Sequence, residues 1–109
     1  MMSNIKSFYE LEIKDINNKP ISMEELIGKA NEYIKNGYGV YIGSDSQNIG
    51  KSTKYATVIA YRFGSRGVHY ILSKKQEVLI EDMWTRLWQE AEMSIDVAEW
   101  LTHQVSVRV

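Results

Sequence analysis

The hydrophobic positions change their spacing several times along this chain, and each change predicts an element. Residues 1–20 alternate weakly (Phe8, Leu11, Ile13, Ile16) and end in the turn signal Asn17-Asn18-Lys19-Pro20, which predicts a short strand or arm. Ser22-Met23-Glu24-Glu25 is a capping box, and Leu26, Ile27, Ala30, Tyr33 and Ile34 then follow at helical spacing as far as Asn36-Gly37. Val40-Tyr41-Ile42, bounded by Gly39 and Gly43, reads as a short buried strand that delivers Asp45 to a sheet rim, with a polar loop from Ser46 to Thr53. Tyr55–Phe63 is apolar on both alternating faces, the pattern of a central strand covered on each side. Gly64-Ser65-Arg66-Gly67 predicts a hairpin turn, and Val68–Ser73 the return strand. Ile80, Met83, Trp84, Leu87, Trp88, Ala91, Ile95, Ala98 and Leu101 recur at helical spacing, so this stripe is expected to pack on the sheet, with Trp100 off it. Val105, Val107 and Val109 alternate with Ser106 and Arg108 as a half-buried fourth strand does.

Direction and hand then fix an expected topology. The first and third strands both run against the second, and a right-handed crossover through the long helix places the fourth strand parallel to the first. The predicted architecture is α/β: a mixed sheet of order 3-2-1-4, a long crossover helix after strand 3, and an N-terminal packing helix. Asp45 is then expected at the rim of a central strand.

Composition narrows the class. A chain of 109 residues, 44% hydrophobic and 25% charged, makes one domain with one core. Without cysteine there is neither a disulfide nor a thiolate metal site, and a cytoplasmic location is allowed and expected. Glu10, Glu12 and Asp15 break any secretory leader, and no apolar run reaches membrane-spanning length, so no membrane partner is expected. The net charge of −1 hides a segregation. From Ser46 to Gln76 there is no acid, against Lys51, Lys54, Arg62, Arg66, Lys74 and Lys75. From Glu77 to Glu99 seven acids stand against Arg86 alone. A protein that holds phosphates near a carboxylate-bound cation would carry such a pattern, and so would one with two solvated faces of opposite sign.

Candidate chemistry centres on Asp45. A strand-end aspartate is most simply a turn starter, its carboxylate taking nearby backbone N–H groups. A phosphate loop is the first rival, because Asp45 to Ser52 lies one residue from G-x-x-x-x-G-K-S. Asp45 occupies the position of the first glycine, however, and strand rather than helix is expected after Ser52. The two histidines, His69 and His103, lack a ligand-spaced partner. On the helical wheel Glu90 and Glu92 flank the apolar stripe on opposite sides, and periodicity alone does not choose between them.

The run Tyr41-Ile42-Gly43-Ser44-Asp45-Ser46-Gln47 resembles the strand-end signature of the YkuK-like family of ribonuclease H-like proteins, in which a strand leads into Gly-Thr/Ser-Asp-Ser-Gln. The likeness covers roughly residues 20 to 109, though only the Asp45 segment is specific. It implies a single ribonuclease H-like domain over 1–109 and metal-dependent hydrolysis of nucleic-acid phosphodiesters with Mg²⁺ or Mn²⁺. Clustered carboxylates hold such hard cations about 3.5–4 Å apart. Asp45 would be a metal ligand and Glu92 a second, because Glu92-Met93-Ser94-Ile95 is similar to the family's Glu-x-Ser-aliphatic run; Glu90 is the alternative catalytic acid. Ser46, Gln47, Lys51 and Lys54 would meet nucleic acid, whether RNA, DNA or hybrid. In this family a further Asp follows the fourth strand, and this sequence ends at Val109 before one, so a C-terminally incomplete domain is expected. Two other readings follow: a non-catalytic nucleic-acid-binding or interaction module of the same fold, and a homo-oligomer that covers the exposed fourth strand.

Overall fold

The computed structural model describes residues 11–106. In chain order the elements are β1 (Glu12–Lys14), α1 (Met23–Lys35), β2 (Gly39–Ile49), β3 (Ser52–Phe63), β4 (Arg66–Gln76) and α2 (Met83–Ser106). They form one four-stranded antiparallel sheet, in the order β1-β4-β3-β2.

Local chemistry explains most boundaries. Asp15 organises the turn after β1: its carboxylate accepts from the Asn17 and Lys19 N–H groups at 2.9 Å, and Asn18 takes a positive φ of 64°. The Ser22 hydroxyl accepts from the Glu25 N–H at 3.1 Å and starts α1. The same helix ends in a Schellman motif. Gly37, at φ 82°, donates to the Ile34 carbonyl, and Tyr38 donates to the Tyr33 carbonyl. The Tyr33 and Tyr38 rings, 4.9 Å apart, supply the apolar contact that accompanies such an ending. Both hairpins turn in two residues, Gly50-Lys51 and Gly64-Ser65, with a positive φ at the glycine alone, as a type II′ turn requires.

Both helices lie on one face of the sheet. That face is apolar at one end, where Leu26 and Ala30 of α1 and Val97, Trp100 and Leu101 of α2 bury Ile13, Ile59, Tyr61, Tyr70 and Leu72. Towards the β2–β3 turn it becomes hydroxyl-lined, with Thr53, Tyr55 and Thr57 buried. Strand alternation puts Tyr41, Gly43, Asp45 and Gln47 on the other face, with Lys54, Ala56, Val58, Ala60 and Arg62 of β3 and His69, Ile71, Ser73 and Lys75 of β4. Among the described residues no element covers this second face.

Several expectations are thereby corrected. The meander of three consecutive strands is present, in the expected relative order, but the fourth sheet position is taken by β1 on the β4 edge. Val105 continues α2, and the rest of the expected C-terminal strand lies outside the described residues. β2 is therefore an edge strand among the described residues, not a central one. The loop expected from Ser46 to Thr53 is strand down to the Gly50-Lys51 turn, because Ser44, Ser46 and Asn48 find partners that override their weak strand preference. Gly50-Lys51 opens a strand and not a helix, which disposes of the phosphate loop. β3 is central, yet buried on one face and half-buried on the other. No helix among the described residues is long and apolar enough to cross a membrane.

The largest departure concerns α2. Its sheet-facing side is Glu90, Ser94 and Val97 with Trp100 and Leu101, whereas Trp84 (77% exposed), Trp88 (67%), Leu87 and Ile95 face outward. The expected apolar stripe thus points away from the sheet over most of its length, and Trp100 is buried at 6%.

Candidate functional site

The segment Gly43-Ser44-Asp45-Ser46-Gln47 splits its side chains between the two faces. On the helix side, Ser94 donates to the Ser44 hydroxyl at 2.6 Å, and Ser44 shares a 2.7 Å hydrogen bond with Thr57. Ser46 donates to Glu90 Oε2, and Tyr55 donates to Gln89 Oε1. Further along, Asn48 and Thr53 bond each other and hold the Ile80 backbone, which anchors the segment leading into α2. Geometry favours this zipper: residues i and i+2 of a strand lie about 6.6 Å apart and residues i and i+4 of a helix about 6 Å apart, so Ser44 and Ser46 match Ser94 and Glu90.

Tyr55 sits inside this seam with its phenol pKa pushed above the usual value. Burial is the main cause, the Arg86 guanidinium opposes it, and the Glu90 carboxylate adds to it. Arg86 lies against the seam with its Nε buried and without a hydrogen-bond partner. Asp82 begins α2, accepting from the Thr85 hydroxyl at 2.5 Å and the Thr85 N–H at 3.1 Å; these bonds hold its carboxyl below the usual range.

Asp45 belongs to the other face. It is exposed, lies opposite Ala56 in the ladder, and accepts from the Ser46 N–H at 2.9 Å. With Gln47, Lys54, Ala56, Ile71 and Ser73 it lines a shallow hollow of about 230 Å³. Lys54 stands in one cross-strand row with Gln47 and Lys75, and Arg62, His69 and Lys14 are carried on the same face. Lys51 is in the exposed hairpin turn beyond that row, while Lys74 points to the helix side.

The structure thus brings Asp45 together with Gln47 and Lys54, but with neither glutamate. Glu90 is on the opposite side of the sheet, bonded to Ser46. Glu92 is exposed on α2, beside Asp96 in a cleft of about 260 Å³ that Lys74 also lines. Of the two glutamates it is Glu90, not Glu92, that touches the strand segment. Ser94 of the Glu92-Met93-Ser94-Ile95 run contributes its hydroxyl to the seam. Sequence reasoning missed the roles of Ser44, Thr57 and Ser94, although the alternation of serines in Gly43–Gln47 was the signal.

Compared with known proteins, residues 22–109 match the family model described as Ribonuclease H-like. No curated protein and no solved structure matches. Members of that family generally bind nucleic acid and use divalent metal ions. The side chains present do not fit a hard-cation cage: among the described residues no group of three or more His, Cys, Asp or Glu side chains converges, and Asp45 stands without a second carboxylate.

Proposed function

Because the chain belongs to the ribonuclease H-like family, we propose that it binds nucleic acid across the uncovered face of its sheet. The observation that carries this reading is the charge and shape of that face. Lys54 and Lys75 form a cationic row, Arg62 extends it, Lys14 lies at the β1 edge paired with Glu12, and the centre is a flat surface of Gly43, Ala56, Val58 and Ala60 that a sugar–phosphate chain can approach closely. Tyr41, 60% exposed beside Ala60 and His69, offers a ring on which a base can stack. Gln47 borders the same hollow and supplies a neutral hydrogen-bonding group. The resemblance of Gly43–Gln47 to the YkuK-like branch supports placing the contact at this end of the sheet.

The test is binding of labelled single-stranded RNA, DNA and hybrid duplex as a function of salt. Lys54→Ala and Lys75→Ala are expected to weaken binding of every sequence alike, and each to flatten the slope of log K against log salt by about 0.7–0.9. An unchanged slope in the double variant rejects this face.

Metal-dependent cleavage is the finer reading, favoured by an exposed carboxylate, Asp45, set beside the phosphate-binding row. It calls for Mg²⁺ or Mn²⁺ and for further carboxylates beside Asp45, and the sequence candidates Glu92 and Glu90 lie on the other side of the sheet. Incubating the same substrates with Mn²⁺ separates the readings. Cleavage abolished by Asp45→Asn establishes the nuclease, whereas binding without metal-dependent cleavage leaves a non-catalytic binding module.

A further inference from the structure

Two large surfaces are uncovered among the described residues, and they have opposite chemistry. One is the outer side of α2, where Trp84, Trp88, Ala91 and Ile95 form a stripe at i, i+4, i+7 and i+11. Acids border it: Trp88, Ala91 and Ile95 share a groove with Glu92, Asp96 and Glu99. The other is the open sheet face, where Ala56, Val58, Ala60 and Ile71 form a half-buried apolar centre. Lysines and an arginine border that one, Lys54 and Lys75 on one side and Arg62 on the other, with Asp45 on β2 and the Lys14–Glu12 ion pair at the β1 edge.

We infer that these two faces bind each other between copies of this chain, the outer side of α2 of one molecule lying on the open sheet face of the next. An antiparallel sheet can leave one face to water when that face is polar, but this one has an apolar centre, and a neighbour's helix supplies a second layer over it. Tryptophans bury the most area in such contacts, and Glu92, Asp96 and Glu99 come opposite a face on which Lys54, Lys75 and Arg62 outnumber Asp45, Lys14 being paired with Glu12. A symmetric contact of α2 with α2 is the poorer choice, because antiparallel helices would set Glu81 and Asp82 of one copy against Asp96 and Glu99 of the other. With a net charge of only −1, no strong overall repulsion opposes association.

The consequence is geometric. The α2 stripe and the open sheet face lie on opposite sides of the molecule, so one contact leaves both partners with a free face. Such head-to-tail contacts grow beyond the dimer unless they close into a ring. Nucleic acid on the sheet face and a second copy on the same face exclude one another, so nucleic acid is expected to dissolve the assemblies.

Sedimentation velocity of the full chain from about 1 to about 200 µM tests this directly. Species larger than a dimer are expected to grow with concentration and to shrink on adding salt, as screening weakens the charged border. A sheet reversal (Lys54→Glu with Lys75→Glu) and a helix reversal (Glu92→Lys with Glu99→Lys) are each expected to weaken association about tenfold or more. Mixing the two variants is expected to restore it, because the acidic sheet of one meets the basic helix of the other. All four positions are exposed, and circular dichroism confirms that the variants fold. A monomer at the highest concentration, a species that stops at the dimer, or a mixture that fails to recover each overturns the inference. Nucleic-acid affinity measured on dilute protein is a separate readout, so the binding proposal stands or falls independently.

Discussion

The two helices pack on the same side of the sheet by different chemistry. α1 buries what its spacing announces: Leu26 and Ala30 are fully enclosed, Ile27 and Tyr33 lie against the same core, and both helix ends are closed by their own residues. α2 presents an apolar stripe of similar clarity and turns most of it outward. What faces the sheet instead is Glu90 and Ser94, because β2 and β3 offer Ser46, Ser44 and Thr57 at matching intervals. Amphipathic spacing identifies a face, but a complementary set of hydroxyls on a strand decides which face the sheet takes.

Substitutions can break this contrast in order of size. Leu26→Ala is expected to cost about 2–5 kcal/mol in denaturant unfolding, the price of a cavity at a site with 0% exposure. Glu90→Ala strands the Ser46 hydroxyl and part of the seam, and an effect of about 1–3 kcal/mol is expected, whereas Glu92→Ala, on the exposed side, is expected to stay within about 0.5 kcal/mol. If the two glutamates behave alike, the polar seam is not what seats α2. Gly37→Ala forces a methyl group onto φ 82° and is expected to cost about 1–2 kcal/mol at the α1 end. For monomer held dilute, Trp88→Ala is expected to leave unfolding within about 0.5 kcal/mol of the parent despite its size.

A pH scan sharpens the comparison from the strand side. Burial, with the Tyr33 hydroxyl adding to it, pushes Tyr61 up to about 12, and Tyr70 is raised for the same leading reason. The unfolded chain loses these protons near 10 while the folded state keeps them, so this stability is fully present below pH 10. It drains away as the pH climbs towards about 12. Tyr61→Phe is expected to blunt the alkaline loss measured by circular dichroism. At neutral pH the same change should be neutral or mildly stabilising, since the Tyr61 hydroxyl is buried without a partner.

Those elements whose chemistry is local were legible. The Asn17–Pro20 turn, the capped start and glycine end of α1, the two later strands and the long second helix all follow from short-range signals. Elements decided by tertiary partners were not. Ser46 to Thr53 reads as a loop until Glu90 and the Ile80 backbone are known to lie above it, and the inward side of α2 is invisible without β2. Asp45 was expected at the rim of a central strand, and it lies within an edge strand; the expected glutamate partner failed because consecutive strand residues point to opposite faces. Asp45 therefore looks away from the helix for the very reason that Ser44 and Ser46 look towards it.

One small contact has a larger reach. The Asp45 carboxylate holds the Ser46 amide on the strand that is outermost among the described residues, so a main-chain donor there is already occupied by the strand's own side chain. Any extra strand arriving at that border must first strip this bond away, and a negative charge guards the approach. Beyond any part in binding or cleavage, Asp45 is therefore placed to discourage sideways growth of the sheet at this edge.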